Sequence, residues 1–165
     1  MVAALVDALF RDYGEAVSSG AIERVQQMWS FPAFMMFDGR QVVLDTDAFR
    51  KNSERLDAFY RGHGMVRIEY DVIELLCLTP TTASVRTIVR LYDGEDRIVT
   101  QWAHVHLLSD TDEGLKIAAA LPDEEMRAWD ALAMTPGGRD RRVRNVTLRP
   151  GKRAVDGRQR SPGLT

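Results

Sequence analysis

Residues 31–40 read FPAFMMFDGR. Taken alternately, one set is Phe31, Ala33, Met35 and Phe37, and the other is Pro32, Phe34, Met36 and Asp38. In a strand these sets face opposite ways. Both are mostly apolar, so the stretch predicts a strand covered on both faces. Asp38-Gly39 is the turn dipeptide of a two-residue hairpin, and the run QVVL after it supplies the returning arm. Such a strand needs an apolar layer on either side, and the rest of the chain has to provide them.

Upstream, Leu5, Leu9, Tyr13 and Val17 recur every four residues with Val2 and Val6 beside them, while Arg11, Asp12 and Glu15 fall opposite. That spacing predicts a helix over residues 3–18. Gly20 ends it, and Ile22, Val25, Met28 and Trp29 give a second, short helix its apolar face. Downstream, Asp45 or Thr46 can cap a third helix over 47–62, with Phe49, Leu56, Phe59 and Tyr60 on its buried side. Strand-like runs follow at 65–78, 82–92, 96–109 and 115–121, joined by short turns in the manner of an antiparallel meander. A last helix, DEEMRAWDALAM, closes the body with Met126 and Trp129 inward. Helices first and a meander afterwards is an α+β pattern.

The 165 residues suit one domain with a basic tail. From Pro136 onward there are nine Lys/Arg against two Asp/Glu, which leaves 13 of the 22 basic and 22 of the 24 acidic groups to residues 1–135. The domain is therefore read as 1–135 and the tail 136–165 as disordered. The tail has no aromatic residue to stack on bases, so nucleic acid is not an expected partner. A lone cysteine, Cys77, excludes an internal disulfide. No apolar run reaches the roughly 20 residues of a membrane span, and MVAALVDALF lacks the basic start of a signal peptide, so a cytoplasmic protein is the expectation.

This element order resembles the nuclear transport factor 2-like (SnoaL-like) superfamily over about residues 3–132, on the stretches DYGEAVSSGAIERVQQMW, FPAFMMFDG and DEGLKIAAALPDE. The resemblance implies a cone-shaped, curved antiparallel sheet wrapped around the N-terminal helices. One sheet face would line a pocket for a small hydrophobic molecule, and the other would meet a second subunit in a homodimer. Phe34 and Met36 would then line the pocket, with Phe31, Met35 and Phe37 packing on the far side. Isomerases, dehydratases, cyclases and non-enzymatic binding modules share this plan, so it selects no reaction.

Ketosteroid isomerases of the superfamily use a tyrosine on the first helix, a carboxylate base near the end of the first strand and an acid on a late strand. Tyr13 matches the tyrosine. Asp38 lies one residue past the base's place, where Phe37 sits, and the Asp-Gly turn accounts for it as well. The late acid's neighbourhood holds Ala103, His104 and His106, with no carboxylate. Resemblance to scytalone dehydratase places pocket groups at Trp102 and His104 but leaves its catalytic histidine unmatched. Trp102, His104 and His106 share one strand face, with neighbours about 6.5–7 Å apart. Facing inward they would serve as acid, base or ligand anchor near neutral pH; facing outward they would belong to a dimer face. An enzyme on this plan would move protons, with His104 as base, Tyr13 as oxyanion donor and Asp38 as a further candidate. Trp29, Phe34, Met36, Tyr60, Trp102 and His106 would hold the ligand. His-x-His lacks a third metal ligand by spacing, and no phosphate loop or dinucleotide fingerprint is present, so no metal or cofactor is implied.

Overall fold

The structure is a computed structural model that describes residues 2–134; the basic tail lies outside the described residues. Helices α1 (Ala3–Ser18) and α2 (Ile22–Gln27) lead into the hairpin β1 (Trp29–Phe37) and β2 (Arg40–Leu44). Helix α3 (Thr46–Gly62) follows, then β3 (Arg67–Thr79), β4 (Thr82–Tyr92), β5 (Ile98–Thr111) and β6 (Gly114–Leu121), and finally α4 (Asp123–Met134). The six strands form one curved, unclosed sheet in the order β2-β1-β6-β5-β4-β3. No described helix is long and apolar enough to cross a membrane.

The meander expected from the sequence is β3 to β6, antiparallel throughout. The sheet as a whole is mixed, because β1 pairs with β6 in parallel, Met35 opposite Ala120. Helix α3 separates the hairpin from the meander and gives the chain the length a parallel return requires. The Phe31–Pro32 peptide is cis and falls within the register shift of that pairing, between Trp29 and Phe34.

Local chemistry explains the helix ends. The Asp45 carboxylate accepts the Ala48 N–H at 2.8 Å, so the cap of α3 is Asp45. Ser18 clasps the end of α1 to the start of β3: its hydroxyl donates to the Gly14 carbonyl at 2.7 Å and accepts the Ile68 N–H at 3.0 Å. The buried stripe of α1 is Val6, Phe10, Tyr13 and Ala16, whereas Leu5 and Val2 are exposed. The expected stripe was out of phase at its N-terminal end and right at Tyr13. Trp29 opens β1 and does not belong to the second helix.

Two apolar clusters result. One joins α1, α2 and α3 to β1 and β6 through Phe10, Val25, Phe49, Trp29 and Ile117. The other joins α3, β5 and α4 through Tyr60, Trp102 and Trp129. The space between them is the site.

Candidate functional site

A cavity of about 500 Å³ opens between the concave sheet face and the helices. Helix α1 contributes Tyr13, β1 contributes Trp29, Met35 and Phe37, and α3 contributes Asn52, Phe59 and Tyr60. Tyr70 comes from β3, Trp102, His104 and His106 from β5, and Glu125 and Trp129 from α4. A mostly apolar wall rich in aromatic rings, with a few convergent polar groups, is the usual character of a small-molecule site.

Strand β5 alternates strictly from Trp102 to Leu108, so every second side chain turns inward. This settles the direction of the histidine face: Trp102, His104 and His106 point into the cone and are buried. The two imidazoles stack, with centroids 4.3 Å apart and planes 10° from parallel. The Trp102 indole N–H donates to His104 Nδ1 at 3.3 Å. That bond leaves the proton of neutral His104 on Nε2. Burial pushes His104 down to about 4, and burial together with the adjacent His104 pushes His106 well below its ordinary value. Both rings are neutral near pH 7.

Glu125 is a buried carboxylate at the start of α4, and the Tyr60 hydroxyl donates to its Oε1. Burial raises Glu125 to about 7 against the opposing effect of that hydrogen bond. Burial also holds Tyr13 at about 12 and, with the carboxylate's charge, keeps Tyr60 well above 10. The phenols are therefore donors. Four buried nitrogens of cavity-lining side chains lack a well-formed hydrogen bond: His104 Nε2 and His106 Nδ1, and the indole N–H groups of Trp29 and Trp129, which act only as weak donors toward Tyr13 and Glu125.

Of the residues expected from the sequence, the structure brings Tyr13, Trp29, Tyr60, Trp102, His104 and His106 to the cavity. Phe34, Met36 and Asp38 do not line it, and here the expectation is corrected. The inward face of β1 is the odd set, with Met35 and Phe37 on the cavity, so Phe34 and Met36 lie on the opposite face. Asp38 is an exposed turn residue with φ 49°, and its backbone N–H donates to the Asp123 carboxylate at 2.7 Å. The hairpin tip thereby holds the first residue of α4. Sequence reasoning missed Asn52, Tyr70 and Glu125. For Glu125 a signal existed: Glu125, Ala128, Trp129 and Leu132 follow i, i+3, i+4, i+7, an acid set on an apolar stripe. Met126, chosen instead, is largely exposed at the cavity rim. Among the described residues no group of three His, Cys, Asp or Glu is placed to hold a metal ion.

Helices inside a curved sheet, with a cavity between them, define the cystatin-like class of folds to which nuclear transport factor 2-like proteins belong. Within that class, the sequence model of one family, described as NTF2-like protein (DUF6841), matches residues 3–125, and the chain belongs to that family. Solved structures agree on the fold. A domain of unknown function with a cystatin-like fold from Nostoc punctiforme superposes with a TM-score of 0.59 at 18% identity, covering 73% of this chain and 77% of that one. An NTF-2 like protein of unknown function from Shewanella oneidensis gives 0.55 at 13% identity, covering 70% and 93%. A ketosteroid isomerase-like protein from Erwinia carotovora atroseptica gives 0.54 at 16% identity, covering 72% and 92%. No curated protein matches.

Proposed function

We propose that the chain binds a small, largely apolar molecule in this cavity, gripping it by ring faces and orienting it through donors on the β-sheet. The observation that carries this reading is the set of buried nitrogens without a well-formed hydrogen bond on the cavity-lining side chains. A buried polar group without a partner costs about 1–3 kcal/mol, so several around one cavity suit a ligand that satisfies them. His104 Nε2–H calls for an acceptor such as a carbonyl or ether oxygen.

The same chemistry changes the roles expected of Tyr13 and His104. With Nδ1 engaged by Trp102, His104 offers a proton donor toward the ligand and no free basic nitrogen. Tyr13 is a donor too. The pair suits polarising a bound oxygen; if protons are moved, Glu125 is the cavity group that titrates near neutrality.

Thermal melts of the full chain against neutral aromatic ketones and polycyclic aromatics test the binding reading. A ligand at 100 times its Kd adds about 2.7 kcal/mol of stability. We expect hits among aromatic molecules bearing an acceptor oxygen, weakened in His104→Ala. The absence of a shift with any of these, and with cationic analogues of them, would remove the reading.

A further inference from the structure

Glu125 is the one carboxylate among the described residues that is buried, and none of the ion pairs among those residues includes it. Its donors are neutral, the Tyr60 hydroxyl and, more weakly, the Trp129 indole N–H, and no cation faces it. A buried carboxylate ordinarily has a cation or several donors to offset its desolvation. The groups around it are rings instead. Tyr60 and Trp129 stack with centroids 5.9 Å apart, Trp102 lies 6.2 Å from each, and Phe59 stands 4.8 Å from Trp129. All of these side chains line the cavity.

Ring faces carry negative potential and attract a desolvated cation; a carboxylate among them adds a full opposite charge. We infer that the ligand of this cavity carries a protonated amine, which pairs with the Glu125 carboxylate while the rings of Tyr60, Trp102 and Trp129 enclose it. The His104 donor would then meet an acceptor elsewhere on the same molecule. This inference rests on the binding reading above and names the class of ligand, a small aryl-bearing alkylamine.

The other groups that face the cavity can be weighed. Tyr13 from α1, Tyr60 from α3 and Tyr70 from β3 stay protonated, and His104 and His106 from β5 stay neutral, so none supplies a competing cation. Arg55 and Asp57 of α3 and Asp130 of α4 also line the cavity, and none of them forms an ion pair with Glu125. A carboxylate held by an ammonium is no longer free to act as a base, so the amine site and a base at Glu125 exclude each other.

The test is calorimetric titration of the full chain with tryptamine and with its neutral counterpart indole-3-ethanol. At pH 7.5 the amine should bind about tenfold or more tightly than the alcohol, and Glu125→Gln should bring the two within about threefold. A second readout needs no variant. At pH 6 the empty site holds a protonated Glu125, so amine binding should release a proton, seen by repeating the titration in buffers of different ionisation enthalpy. Equal binding of amine and alcohol, with no proton release, would overturn the amine site and leave the apolar pocket standing. Binding of neither probe, with the neutral panel also blank, would remove the pocket reading and the amine site with it.

Discussion

Asp38 sits beside Gly39 at the hairpin tip, and both have positive φ, 49° and 68°. A side chain at positive φ is costly unless it is absent or, as in Asp and Asn, short and polar. Residue type here serves the backbone. Asp38→Ala should therefore cost about 1 kcal/mol in denaturant unfolding, and Asp38→Gly close to nothing. Ligand affinity should stay within about twofold in both, because the carboxylate is exposed and away from the cavity. A tenfold loss of binding in Asp38→Gly would mean that the carboxylate works in the site after all.

Elements meet closely where α1 crosses β3. A Cβ on Gly14 would stand 3.0 Å from the Ile68 carbonyl oxygen, a backbone atom held in place by the β3–β4 ladder and by the Ser18 clasp. Alanine would gain up to about 1 kcal/mol of helix propensity at this position, and the contact should cancel it and more. Gly14→Ala should lower stability by about 1 kcal/mol or more, measured by urea midpoint; a stabilised variant would show that the strand yields freely. The order of elements, the caps and the meander were legible because each rests on local rules: alternation, helical spacing, Asp-Gly turns, an Asp cap. The inward face of β1 was not. Phe31, Met35 and Phe37 compete with Phe34 and Met36 on equal terms, and a one-residue phase moves every side chain to the other side. Only the packing of Phe31 on Phe49 of α3 and the pairing of Met35 with Ala120 decide it, and both are long-range. Glu125 escaped for a related reason. An acidic residue at a helix start reads as favourable at the helix N-terminus, and burial appears only when α3 and β5 are in place.

At the scale of the whole molecule, the cavity holds two titrations that run against each other. Glu125 is raised from 4.5 to about 7, so its contribution is fully present below pH 4.5 and is lost as pH rises through 7. His104 is lowered from 6.5 to about 4, so its contribution is present above 6.5 and is lost as pH falls through 4; His106 acts in the same direction. Each of the two numbered shifts corresponds to about 3 kcal/mol. Over the interval from pH 4.5 to 6.5 Glu125 offsets one of the two histidines, and the native profile should rise with pH less steeply than the histidines alone would make it. Removing one partner should expose the other. Relative to the native chain, Glu125→Gln should have nearly equal stability at pH 4 and be more stable by about 3 kcal/mol at pH 8. The gain should develop between pH 4.5 and 7. A saturating amine should produce its own pH-dependent gain in the native chain, since it supplies the missing cation, and little of it in the variant. Denaturation curves at half-unit pH steps decide the matter. Parallel profiles for the native chain and Glu125→Gln from pH 4 to 8 would mean that the Glu125 carboxyl is not perturbed by folding, and the opposition between the acid and the histidines would not exist.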